Sequence, residues 1–253
     1  MNERLRTSNP AFAGQTWSGS AAAIGYGPSM TISGTVNRAG ILMLCVALTA
    51  AWVWNQFYSS GNPASVGGYA MVGAFGGFIA AMVTVFKKEW SPVTAPVYAL
   101  LEGLFLGSLS AIMEMRFPGI AIQSVALTFG TCFCMLMAYR SGWIRATQRF
   151  TIGIVAATGG IALVYFVSMI LGLFHVQVPG IFGSGPVGIL FSLAVVVIAA
   201  LNLILDFNFI EEGANRGAPK YMEWYGAFGL MVTLVWLYLE IIRLLAKLRN
   251  DRR

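Results

Sequence analysis

Residues 201–231 read LNLILDFNFIEEGANRGAPKYMEWYGAFGLM. An apolar run carries Asp206 near its end, a polar stretch of Glu, Gly, Asn, Arg, Pro and Lys follows, and Glu223 opens a second apolar run that continues to about 245. An Asp at the centre of a membrane helix costs about 2.5 to 3.5 kcal/mol on insertion scales. Two acids flanking a turn between greasy runs therefore describe a membrane hairpin whose carboxylates need a reason to be there.

The rest of the chain agrees with that reading. Of 253 residues, 57% are hydrophobic and 10% charged, whereas soluble domains carry about 25% charged residues. A helix needs roughly 20 apolar residues to cross a bilayer. Seven runs of about that length fall at 40–58, 66–86, 93–113, 120–139, 150–174, 187–207 and 221–245. Turn-forming pieces such as SSGNPAS, RFPG and VPGIFGSGP separate them. The expectation is an all-α membrane protein, a seven-transmembrane-helix bundle in one domain over 37–248. A basic C-terminal tail follows at 249–253. Residues 1–36, rich in Ser, Gly, Thr and Asn, lack the charged start, apolar run and cleavage site of a secretory signal and are expected to form a flexible cytoplasmic tail.

The formal charge of +6 comes mostly from short segments between apolar runs, which argues for membrane orientation rather than nucleic-acid binding. With the N-terminus inside, Arg4, Arg6, Arg38, Lys87, Lys88, Arg140, Arg145, Arg149, Arg216 and Lys220 fall on the inner side, and the first three outer loops carry only Arg116. Small residues at Gly73 and Gly77, Gly103 and Gly107, Gly159 and Gly160, and Gly226 and Gly229 mark expected close helix contacts. Cys45, Cys132 and Cys134 lie in apolar runs at spacings that suit neither a disulfide nor a metal clamp.

Four acids fall at membrane depth: Glu102, Asp206, Glu223 and Glu240. Asn202, one turn before Asp206, shares its helical face. If the loop spans 211–220, the hairpin brings Asp206 and Glu223 to one level, where repulsion and desolvation let them share a proton. Glu240 stands about 25 Å further along and has Arg243 at i+3 as a local ion-pair partner. Glu102 has no cation nearby in sequence, so it must be protonated, hydrated or paired from another helix. Lys87, Lys88 and Arg140 end apolar runs on the Asp206 side, as positive-inside anchors or as a latch on that acid.

Enzyme chemistry finds little support. The single histidine, His175, falls in an outer loop away from any membrane-depth serine. No H-E-x-x-H or Gly-x-x-x-x-Gly-Lys occurs, and the seventh run holds no mid-helix lysine. The expectation is a non-enzymatic protein without a bound cofactor.

The segments LNLILDFNFIEEGA, GAPKYMEWYGAFGLMVTLVWLYLEIIRLL, APVYALLEGLFLGSLS and TFGTCFCMLMAYRSG resemble, in order, the bacterial YccA-like branch of the Bax inhibitor family. The likeness covers the chain from Met30 onward. It implies a seven-helix bundle with the last helix central and a calcium leak governed by protonation of acids on the sixth and seventh helices. Asp206 matches the sixth-helix acid. For the seventh, LYLE at 237–240 resembles the family's Leu-Tyr-Leu-Asp and points to Glu240, while the hairpin argument points to Glu223. The family also includes modulators of membrane-bound proteolysis and of cell-death signalling. The expected function is a pH-sensitive cation leak, for Ca²⁺ as the transported ion held weakly by Asp206 and Glu223. The alternative is a non-transporting regulator that binds another membrane complex such as a membrane-bound protease. Either way the bilayer is its surroundings, and the expected location is the bacterial cytoplasmic membrane.

Overall fold

In hydrocarbon the backbone must satisfy its own hydrogen bonds, and a helix does so within one segment. Each apolar run accordingly forms one. The computed structural model describes residues 28–60, 62–174 and 181–251. Its helices are α1 (Ile32–Ser60), α2 (Gly67–Phe86), α3 (Ser91–Arg116), α4 (Ile120–Arg140), α5 (Gln148–Leu173), α6 (Pro186–Asn215) and α7 (Met222–Asp251). All seven are long and apolar enough to cross a membrane. Among the described residues the only β feature is an isolated antiparallel bridge between Ser29 and Pro219.

Several helices outrun their apolar cores. α1 starts at Ile32, inside the stretch expected to be tail; of that tail, residues 1–27 and the C-terminal 252–253 lie outside the described residues, as does His175. α7 runs to Asp251, through much of the expected basic tail. α6 extends to Asn215, eight residues past the expected end, and stops in a Schellman turn. Gly217 takes φ 65°, its N–H bonds the carbonyl of Ala214 at 3.1 Å, and the Ala218 N–H bonds that of Gly213 at 3.0 Å. This is a glycine-terminated helix end, and Pro219 follows it.

The described chain groups into two compact units, 28–121 with 208–232 and 122–207 with 233–251. In the first, α3 packs against both α1 and α2 through glycines. A Cβ on Gly103 would fall 1.9 Å from Thr49 Oγ1 and 2.5 Å from the Val46 carbonyl of α1; one on Gly73 would fall 2.6 Å from the backbone of Leu101 and Phe105 of α3. Close backbone approach and dispersion drive such association in lipid. Val53, Phe57, Val66 and Ala111 form an apolar cluster there, with Trp54, Tyr69, Leu104 and Ile112 against it. In the second unit, the expected packing face of α5 does not form. Positions 159 and 160 have open space where a side chain would stand.

Polarity runs opposite to that of a soluble protein. Phe75, Phe78, Leu163, Phe166 and Leu190 are exposed, as lipid contact allows, while Glu102, Asn202, Asp206, Glu223, Glu240 and Lys247 are buried. Hydroxyls in the helices bond back to the carbonyl one turn earlier, as Thr49 does to Cys45, Thr84 to Ala80 and Thr128 to Ser124, which satisfies them without water. α7 is the most buried helix. In its most apolar stretch 61% of residues are buried, against 6% in α5, in keeping with the expectation for the last helix.

Candidate functional site

The four membrane acids occupy three kinds of surroundings. Asp206 is fully buried on α6, one turn after Asn202. The Asn202 side-chain amide donates to Thr158 Oγ1 of α5 at 2.9 Å and to the Ile198 carbonyl at 2.8 Å. The Cys132 thiol of α4 lies within electrostatic reach of Asp206, and Phe207, the next residue, packs its ring 5.9 Å from Tyr139. Thr158, Asn202 and Asp206 thus line up as a short polar track in a unit that also buries Ser124, Thr128, Thr151, Ser192 and Thr233.

Glu240 belongs to the same unit. Its carboxylate accepts from the Tyr165 hydroxyl at 3.0 and 3.1 Å and from Arg243 Nη1 at 2.7 and 2.8 Å. Arg243 also donates to the Tyr165 oxygen at 2.7 Å and stacks 5.1 Å over its ring. The expected i,i+3 pair is therefore present and closes a three-residue ring of charge-assisted bonds. One turn further along α7, Lys247 donates to the carbonyls of Ile181 and Gly188, both at 2.9 Å.

Glu223 sits in the other unit, in the first turn of α7, with its side chain fully buried. One oxygen accepts from the Thr31 N–H at 3.0 Å, the Thr31 hydroxyl at 2.8 Å and Lys220 Nζ at 2.7 Å. Arg38 approaches the other at 3.7 Å and stacks 5.1 Å over Trp224. Thr31 is the N-cap of α1, since its own hydroxyl accepts from the Gly34 N–H at 2.9 Å. In a capping box the third helical residue is a Glu that reaches back to the cap N–H. Here that residue is Gly34, and Glu223 supplies the carboxylate from α7. A Cβ on Gly34 would fall 1.9 Å from Glu223 Oε1.

This geometry revises two expectations. Asp206 stands nine residues inside the end of α6, about 14 Å, whereas Glu223 stands within about 2 Å of the start of α7 and Glu240 about 27 Å beyond it. The acids are thus at unequal distances from the turn. The expected loop is shorter at its start, because α6 continues through 211–215. Glu223 is also a poor Ca²⁺ ligand, because two cations already face it, while Ca²⁺ takes 6 to 8 oxygens. Among the described residues no three His, Cys, Asp or Glu side chains gather as a metal site.

Among the described residues none of Lys87, Lys88 and Arg140, the expected anchors or latch, forms an ion pair with a carboxylate; the cations that do so on the membrane acids are Arg38, Lys220 and Arg243. Lys88 instead lies 5.6 Å over the Tyr225 ring. Glu102 is buried on α3 with Gly77 of α2 facing it, where a Cβ would stand 3.1 Å from its carboxylate. Its hydrogen-bonding neighbour is the Tyr98 phenol one turn back.

Thr31, Gly34, Tyr165 and Lys247 escaped the sequence reading. The first two carried a signal: TISG at 31–34 is an N-cap threonine whose third following residue has no side chain to complete the box.

Compared with descriptions of known families, the chain matches the family model described as Bax inhibitor 1 like over residues 9–250. No curated protein and no solved structure matches it.

Proposed function

The chain belongs to the Bax inhibitor family, an integral membrane protein with seven helices fit to span the bilayer, and on that premise we propose that it is a pH-sensitive cation leak, for Ca²⁺, in the cytoplasmic membrane of a bacterium. In this reading it belongs to the YccA-like branch, keeps its N-terminus inside and catalyses no reaction. The observation that carries it is Asp206: an acid with no exposed surface, in a membrane-spanning helix beside the Thr158–Asn202 pair. Burying a carboxyl there is costly, and a proton-dependent role accounts for keeping an acid at that cost. Deprotonated, Asp206 attracts a partly hydrated cation to the polar track. Protonated, it withdraws that attraction. Glu240, held by Arg243 and Tyr165, is the second charge-bearing element of the same unit.

The test is Ca²⁺ flux into proteoliposomes over a range of pH, with Asp206→Asn, Glu240→Gln and Glu223→Gln beside the parent chain. Asp206→Asn flattens the pH response. A profile unchanged in all three variants removes the proposal. A non-transporting regulator is the second reading, favoured by one observation: the segment leading into α1 is tied to α7 through Glu223. Stoichiometric co-purification of a membrane protease with a chain that shows no flux would select it.

A further inference from the structure

The residues that lead into α1 are held more firmly than a chain terminus needs. Ser29 bridges Pro219, and the Met30 N–H donates to the Ala218 carbonyl at 2.7 Å. The Met30 side chain is 2% exposed, seated where Gly226 leaves room, with Ile210 and Thr35 beside it. Thr31 then gives both its N–H and its hydroxyl to Glu223. Outside α1, these contacts fall on the end of α6, the α6–α7 turn and the first turns of α7. Gly217 ends α6 and Ser91 Oγ of α3 bonds the Tyr221 carbonyl at 3.0 Å, so the turn is braced from both sides.

The chemistry of the seat is uneven. The backbone bonds are neutral, and each contributes only modestly in net terms. Hydrogen bonds to a charged group are roughly twice as strong, and the carboxylate accepts three, from the Thr31 N–H, the Thr31 hydroxyl and Lys220, with Arg38 as an ion-pair partner 3.7 Å from its other oxygen. It also lies at the N-terminus of α1, where the helix dipole favours negative charge. The holding energy is thus concentrated in one side chain, and that side chain is rooted in α7.

We propose that residues 28–31 form a strap and that Glu223 is its clasp, so that whether the clasp is closed sets the position of the α6–α7 turn. An event that draws on the polar stretch preceding the strap, or that removes the charge of Glu223, bears on α7 at this carboxylate. The groups that face it are Lys220 from the turn and Thr31, Gly34 and Arg38 from the α1 side; all but Gly34 hold it through charge or hydrogen bonds. The device is independent of whether the protein conducts ions.

The experiment uses the full chain in lipid nanodiscs with Cys45, Cys132 and Cys134 replaced by Ala and a single reporter cysteine at Met30, which is buried while the strap is seated. A polar thiol reagent measures how often the strap leaves its seat. A second reporter at Trp143, 87% exposed and in the other unit, is the control. Glu223→Gln raises the labelling rate at position 30 by about tenfold, the equivalent of one lost charge-assisted cap, and leaves the Trp143 rate unchanged. Thr31→Val does the same to a smaller extent and Thr31→Ser does not, because serine keeps the hydroxyl. Amide exchange at 218–225 rises in Thr31→Val in step with labelling, with no change at 122–140. Labelling and exchange equal to the parent in Thr31→Val overturn the proposal, even if Glu223→Gln fails to fold. Faster labelling without faster exchange at 218–225 also overturns it, since the strap would then move without moving the turn.

Discussion

Glu223 completes the N-terminal cap of α1 for Thr31 across 192 residues of sequence, taking both the backbone N–H and the hydroxyl of the threonine on one oxygen. The arrangement depends on Gly34. A methyl group there would overlap the carboxylate, 1.9 Å from Oε1 and 2.2 Å from Cδ. Gly34→Ala therefore expels the Glu223 head group, even though alanine is the better helix former by about 1 kcal/mol. The expected result is a net loss of about 1 to 2 kcal/mol, from a broken cap and a buried charge with fewer donors. Thermal unfolding in mild detergent, followed by circular dichroism, measures it; a variant as stable as the parent would show that the carboxylate is not held where it stands.

Glycines provide a second, paired prediction. Gly103→Ala drives a methyl into the Val46 carbonyl and the Thr49 hydroxyl, and α1 must retreat from α3 because a backbone atom cannot turn aside. Overpacking of this kind costs about 1 to 3 kcal/mol. Gly160→Ala meets nothing within 4 Å and gains helix propensity, so it is neutral or stabilising by up to about 1 kcal/mol. Titration with a denaturing detergent ranks the two. Equal destabilisation would contradict the packing described for α1 and α3.

These contrasts show what the sequence could and could not convey. The seven spans were legible because hydropathy over about 20 residues is a local property, and Glu240 with Arg243 because the pair lies one turn apart. The faces around Gly73 and Gly103 were read correctly, while the same signal at Gly159 and Gly160 misled: small residues show where a neighbour could approach, not whether one does. The end of α6 was misplaced because Glu211 and Glu212 look like loop by polarity, yet they are good helix formers and the real stop is Gly217. The partners of Glu223 were out of reach, since Thr31 lies in a stretch whose composition reads as tail and touches α7 only once the chain has folded.

A pH-dependent prediction concerns Tyr221, in the turn before α7. Burial, and then the negative charge of Glu89, push its phenol above the usual tyrosine range. The neutral form is favoured in the folded state, so any stability this group contributes is complete below the unfolded value of about 10 and is lost as pH rises from there through the higher folded value. Ultraviolet difference titration of the parent against Tyr221→Phe isolates the phenolate signal. It appears above the ordinary range, and Glu89→Gln brings part of it back down. A Tyr221 that ionises like a free tyrosine, with or without Glu89, would place it in water.

The ring of Glu240, Arg243 and Tyr165 separates charge from hydrogen bonding. Arg243→Gln leaves the buried Glu240 carboxylate with the tyrosine alone. Breaking a buried pair costs about 3 to 5 kcal/mol, but the Arg243 side chain is 41% exposed, so solvent screening reduces the expected loss to about 2 kcal/mol. Tyr165→Phe removes one donor to the carboxylate and one acceptor from the guanidinium, a smaller loss of about 1 kcal/mol. The double change Glu240→Gln with Arg243→Gln removes both charges and recovers most of the stability, because a neutral glutamine can still accept from the Tyr165 hydroxyl. Unfolding of the single and double variants forms a cycle whose coupling should be about 1 to 2 kcal/mol and favourable. Additive losses would mean that Arg243 and Glu240 are neighbours without being partners, and that the ring does not hold the acid.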